Sequence, residues 1–144
     1  MNRAIDYRDL LEIKWAEGGE DSATGLDCVG ALKIAYARGG HVLAPADMPR
    51  EWTAETELPS PWRFLGASSV IASELLDVIL SHGERGYHVS CLVDERNRLV
   101  LTSTKEHGVH SLPVRRVQGI VGVYRLTHAA RLASTIPVLL GGGQ

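Results

Sequence analysis

Apolar residues fall at Ile5, Tyr7, Leu10, Leu11 and Trp15, and this spacing predicts a short amphipathic helix over residues 5–15. Residues 17–25 are polar with three glycines, which predicts a loop. Val29, Leu32, Ala35 and Tyr36 recur at helical spacing behind Asp27, a residue suited to an N-cap, and Gly39-Gly40 stops the pattern. A helix is therefore predicted over residues 27–38. Residues 41–64 hold Pro45, Pro49, Pro59 and Pro61 together with Trp52 and Trp62, and read as an irregular, wrapping segment. Residues 68–81 are apolar and fit either a helix or a helix running into a strand, with Asp77-Val78-Ile79-Leu80 favouring the strand.

From there the pattern is of strands. Residues 87–93 and 99–104 flank a turn at Glu95-Arg96-Asn97 and predict a β-hairpin. Residues 108–114 and 120–126 predict further strands. Helices first and a meander of strands afterwards predict an α+β domain, N-terminal helices packed on an antiparallel sheet, over residues 1–126. Residues 127–144 would form a C-terminal extension. Its apolar Leu132, Ile136, Val138, Leu139 and Leu140 are costly in water, so it is either a loose terminus or a docking tail for a neighbour.

Composition narrows the function classes. Of 144 residues, 44% are hydrophobic and 22% charged, which fits a soluble globular domain. A net charge of -2 argues against a nucleic-acid binder. The charged stretch over residues 1–12 lacks the apolar core of a signal peptide, and no apolar run approaches the ~20 residues of a membrane span. Cys28 and Cys91 are the two cysteines, with no spacing that suggests zinc, so neither a metal nor a cofactor is expected. His41, His82 and His128 lack spaced ligand partners and read as surface or loop residues.

The candidate chemistry lies in Gly25-Leu26-Asp27-Cys28-Val29-Gly30. It sets a cysteine in the first turn of a helix, where free N–H groups and the helix dipole favour thiolate. Gly30 leaves room for a substrate or another strand. Taken by position alone, Cys28 is more simply a small buried apolar residue. Gly86-Tyr87-His88-Val89-Ser90 then supplies a histidine at a strand start, and a cysteine nucleophile needs such a base.

Trp15-Ala16-Glu17-Gly18-Gly19, the Asp27-Cys28-Val29-Gly30 segment, His88-Val89-Ser90 and the closing Gly122-Val123-Tyr124-Arg125 together resemble the NlpC-type cysteine peptidases, in their bacteriophage tail protein branch. The resemblance runs over about residues 9–126. It implies a papain-like fold with Cys28 as nucleophile, His88 as general base and Trp15 near the oxyanion. Asp27 and Gly30, beside the nucleophile, join Trp15 as oxyanion or substrate-binding residues, and the Cys28 N–H contributes to the oxyanion site. It also implies a peptidoglycan stem-peptide substrate cut beside D-isoglutamyl residues, phage tail hub or baseplate partners, and a place in the virion at the tail tip.

This sequence departs from the family in its third polar residue, often His, whose place falls on Thr102. A three-residue turn pairs Asp94 with Arg98 and brings Thr102 to the face of His88; a two-residue turn would bring Ser103 there instead. His107 and His110 are further candidates. Either register puts Cys91 on the opposite face, as a core thiol. Three readings follow: a tail-associated peptidoglycan endopeptidase, a structural tail subunit with weak or lost catalysis, and a cytoplasmic amidase on the same fold.

Overall fold

A computed structural model describes residues 2–41, 48–55 and 62–127. It is an α+β domain with one α-helix among the described residues. A small ladder, β1 (Glu20–Asp21) and β2 (Gly25–Leu26), leads into α1 (Cys28–Arg38). Six strands then form one antiparallel sheet: β3 (Trp62–Gly66), β4 (Val78–Gly83), β5 (Gly86–Asp94), β6 (Leu99–Thr104), β7 (Gly108–Pro113) and β8 (Ile120–Leu126). Their order across the sheet is β3-β8-β4-β5-β6-β7, so the last strand inserts between β3 and β4.

The sequence signals of α1 act as expected. The Asp27 carboxylate accepts the Gly30 N–H at 2.7 Å, satisfying one of the free amides of the first turn. At the far end Gly40 takes φ +91, Gly40 N–H reaches Ala37 O, and His41 N–H reaches Tyr36 O. This is a Schellman stop, which a glycine in the left-handed region permits. The helix buries Val29, Leu32, Ala35 and Tyr36 against Val78, Leu80, Val89, Cys91, Val93 and Leu101 of the sheet. Ile79, Leu92, Val100 and Val123 point the other way and pack with Ala72 and Val114. Both faces of the sheet centre are thus covered, which explains why Asp77-Val78-Ile79-Leu80 reads as a continuous run rather than an alternation.

Four expectations are corrected. Residues 5–15 are not an α-helix. A 3-10 turn at Arg8–Leu10 is followed by extended Leu11 and by Glu12 at φ +74. The backbone of this stretch bonds to other elements instead, Ile5 N–H to Val93 O, Glu12 N–H to Val109 O and Val109 N–H to Ile13 O. The apolar spacing marks where Ile5, Tyr7 and Leu10 sink into the core. The loop over residues 17–25 contains β1 and the first residue of β2. Trp62 to Phe64, placed in an irregular segment, belong to the edge strand β3. Over residues 68–81 the strand reading holds and the helix does not: one 3-10 turn at Ser69–Ile71 precedes β4. Buried Asp77 organises that approach, accepting from the Ser73 and Glu74 amides at 3.0 and 2.9 Å and from Arg125 Nε at 2.8 Å.

The β5–β6 hairpin decides the site. Cys91 pairs with Leu101 and Leu92 with Val100, and one further step in this register sets Ser90 opposite Thr102. That is the register of the three-residue turn. The expected Asp94–Arg98 pair is replaced by Asp94–Leu99 through a bulge at Val93. The extension beyond Thr127 lies outside the described residues, as do His128 and Pro45, Pro59 and Pro61.

Candidate active site

Cys28 is the first residue of α1, half-buried, and His88 is the third residue of β5. Both line a cleft of about 610 Å³ shared with Trp15, Asp27, Ser81 and Ser103. Both also line a second cleft of about 350 Å³ with Val29, Arg50 and Trp52. Cys28 and His88 therefore stand at the waist between two hollows.

The ladder between β5 and β6 stops short of His88, with its last pair at Cys91 and Leu101. Backbone groups released from a ladder need other partners. The Val89 carbonyl takes the Thr102 hydroxyl at 2.7 Å. The Val89 and Val29 amides near the Cys28 thiol pull its titration down against the effect of burial.

Thr102 Oγ1 lies 2.6 Å from His88 Nε2. A hydroxyl has one proton, and here it is donated to Val89 O, so Oγ1 can only accept from the imidazole. His88 accordingly carries its proton on Nε2 and, when neutral, keeps the Nδ1 lone pair free. Thr102 is 3% exposed, so this contact is shielded from competing water.

The other candidates for the third position have different tasks. Ser103 Oγ donates to Leu26 O at 2.6 Å and ties β6 to β2 beneath the helix start. His110 Nδ1 donates to Gly108 O at 2.9 Å, and the His107 ring lies 5.6 Å from that of His110. Among the described residues, Thr102 is the side chain that holds the His88 ring.

Electrostatics correct one expectation. Burial pushes the Cys28 thiol above its ordinary acidity range and the negative Asp27 adds to this. The Val89 and Val29 amides and the Arg50 charge pull the other way without prevailing. His88 is held below the ordinary histidine range, by burial first and by His110 second. Thiol and imidazole are thus both neutral near pH 7. Cys91 is fully buried and its thiol is pushed far up by that burial, as expected of a core residue.

Trp15 lines the larger cleft, with Lys105 Nζ 6.0 Å from its ring centre. Asp27 lines it too, while capping α1 and pairing with Arg50, which also reaches Glu20 at 3.2 Å. Of the two readings of Gly30, close approach by a substrate or by another strand, the backbone beside β1 takes the space. A Cβ there would stand 2.0 Å from Gly19 O, so the backbone of the Gly18-Gly19 turn, and not a substrate, uses the space. Arg50 was missed, because it lies in a segment with no periodicity to flag it. Ser81, whose Oγ donates to His88 O at 3.4 Å, gave no signal beyond being a strand residue. Among the described residues, no group of three His, Cys, Asp or Glu side chains is arranged to hold a metal ion. No described helix is long and apolar enough to cross a membrane.

No family model matches the chain, and no curated protein matches its sequence. The fold is similar to a solved structure described as the crystal structure of a wild-type endolysin, LysIME-EF1, with a TM-score of 0.50 at 13% sequence identity. The match covers 83% of this chain and 60% of the endolysin chain, so this protein spans less than two thirds of that neighbour's length; what the two share is an α+β architecture.

Proposed function

We propose that the protein is a cysteine peptidase of papain-like, NlpC-type architecture that cleaves peptidoglycan stem peptides, and that it does so as a tail-associated protein of a phage during cell-wall penetration. The observation that carries the chemistry is the Thr102–His88 contact. It frees Nδ1 of a base that shares a cleft with a helix-start cysteine. The fold shared with an endolysin supports a cell-wall substrate.

In this reading the Cys28 thiol attacks the scissile carbonyl carbon while its proton passes to His88 Nδ1. A C–S bond forms, and the carbonyl electron pair moves to oxygen. The Cys28 N–H, one of the first-turn amides with no intrahelical partner, stabilises that oxyanion. The imidazolium, its Nε2–H braced by Thr102, gives its proton to the leaving amine as the C–N bond breaks. Water then hydrolyses the thioester with His88 again as base. Because both groups rest neutral, proton transfer accompanies attack and does not precede it. The two hollows on either side of Cys28 suit the two sides of the cut bond.

The test is digestion of purified peptidoglycan and synthetic stem peptides by the full chain, with new amine ends located by mass spectrometry. Cleavage that disappears in Cys28→Ala and His88→Ala supports the reading. Unchanged cleavage in Cys28→Ala ends it. The burial of the thiol and its raised acidity range favour a second reading, a structural tail subunit held by hub or baseplate proteins with catalysis weak or lost. Co-purification with tail particles and no cleavage of any stem peptide would be its signature.

A further inference from the structure

Across the sheet from His88 the row of polar side chains continues beyond Thr102 to a residue that the chemistry above does not use. Thr102 holds the His88 ring, and Thr102 pairs in register with His110 on β7, so the two side chains share a face. His110 is fixed in turn by its Nδ1–H to Gly108 O, and His107 from the β6–β7 turn packs on its ring. Gly108 cannot be replaced without cost, since it sits at φ +63 with a Cβ position 2.4 Å from Ile13 O. The chain segment over residues 12–14 braces the outside of β7 through Glu12 and Ile13. His110 is therefore held one strand beyond Thr102.

We propose that His110 is a positioning residue for the His88 base: once protonated, its imidazolium disfavours a second positive charge on His88 and keeps Nδ1 open for a proton from Cys28. The proposal rests on the reading of His88 as base. It extends the acid side of the range in which that base is free, since His88 must then take its proton against a like charge. The direction of the His88 titration, lowered by His110 after burial, agrees.

Other charges near His88 are arranged to interfere little. Arg50 is paired with Asp27 and Glu20, and Arg85 with Glu106 across the tips of the β4–β5 and β6–β7 turns. Lys105 lies over Trp15, His82 stacks on Tyr87 at 4.5 Å, and Glu51 and Glu84 complete the charged lining of the two clefts. At His110 itself the His107 ring packs at 5.6 Å, and the segment that braces β7 carries Glu12 and Lys14.

The test is NMR titration of the His88 ring in the full chain, without substrate, in three forms. His110→Asn keeps a donor for Gly108 O and removes the charge; the His88 midpoint should shift upward from the wild-type value. His110→Lys keeps a positive charge at every pH, and the midpoint should stay at or below the wild-type value. The rise in His110→Asn should shrink as salt is raised, because His110 is partly exposed. A midpoint that does not rise in His110→Asn, or that rises in His110→Lys, overturns the proposal. If His110→Asn does not fold, His110→Gln is read in its place. Loss of peptidoglycan cleavage plays no part in this readout. An inactive protein whose His88 midpoint moves as stated would sink the enzymatic reading and leave the electrostatic coupling standing.

Discussion

The two halves of β5 lie on one strand but differ in sequence and in neighbours, Gly-Tyr-His-Val-Ser being mixed and Cys-Leu-Val apolar. Over Cys91 to Val93 the strand lies between β4 and β6, carries core on both faces, and is buried to 0% exposure. Over Gly86 to Ser90 it is paired with β4, while β6 draws away. The first half spends its backbone on the ladder. The second gives its Val89 carbonyl to the Thr102 hydroxyl, which also meets the His88 ring. The candidate chemistry lies where the ladder opens. Two cysteines of equal sequence prominence, Cys28 and Cys91, end up as a cleft thiol and an inert core thiol for this reason.

The largest effect that would sharpen this contrast is in the paired half. Leu92→Ala removes a fully buried side chain and should cost about 2–5 kcal/mol, read by denaturant unfolding. In the folded variant the rate of Cys28 alkylation should stay close to that of the parent. A marked change in that rate would mean that the two halves are mechanically coupled. In the open half Thr102→Val keeps the shape but leaves Val89 O and His88 Nε2–H without their partner. It should cost about 1–3 kcal/mol and also scramble the His88 tautomer, visible as a change in the ring nitrogen shifts. A Thr102→Val protein with an intact Nε2–H signal would mean that Thr102 does not set the tautomer.

The two thiols give the next contrast. Native Cys91 should alkylate on the order of 10²-fold or more slower than Cys28, since it is exposed only by unfolding. The midpoint for Cys28, followed with Cys91 replaced by Ala, should lie above that of a free thiol, because burial outweighs the helix start. A midpoint well below it would show a preformed thiolate–imidazolium pair and would overturn the neutral resting state.

How much of this was legible in the chain depended on how local the cause was. The α1 boundaries follow from Asp27 and Gly39-Gly40, which act within one turn of themselves, and they were legible. The hairpin register was legible up to the bulge, because a turn of given length fixes which residues face each other. It failed at Asp94, where the bulge at Val93 admits one extra residue. The stretch over residues 5–15 misled because apolar spacing records which side chains are buried, not what buries them. Here the backbone partners are β5 and β7, reached through Val93 and Val109. In the candidate site, Cys28, His88 and Thr102 could be named from the resemblance and the register. Arg50 could not, since its task depends on a segment without regular structure meeting the helix start. The raised titration of the Cys28 thiol has a similarly non-local cause: the helix dipole can be seen in sequence, while burial by distant strands cannot.

His88 also links the site to stability. Its folded-state titration is lowered from an ordinary value of 6.5, so the unfolded chain binds a proton before the folded one does. The contribution is intact above about pH 6.5 and is lost as pH falls through the ordinary range towards the lowered folded value. His88→Gln should therefore unfold with a weaker acid dependence between pH 7 and 5. An unchanged slope would mean that the open half of β5 is more hydrated than its burial implies.

The smallest effect separates the two tasks of Asp27. Its carboxylate caps α1 through Gly30 N–H, and its charge both pairs with Arg50 and raises the Cys28 thiol. Asp27→Ala removes cap and charge together and should cost about 0.5–2 kcal/mol. Asp27→Asn keeps an oxygen for the cap, so most of that loss should be spared. It also removes the nearest negative charge and leaves Arg50 to act on the thiol with less opposition, so the Cys28 alkylation midpoint should move down. If Asn instead destabilises as much as Ala, the Arg50 pair and not the cap is what Asp27 contributes to the fold. If the midpoint does not move, charge at the helix start has no hold on the thiol, and burial between α1 and the open half of β5 sets its acidity alone.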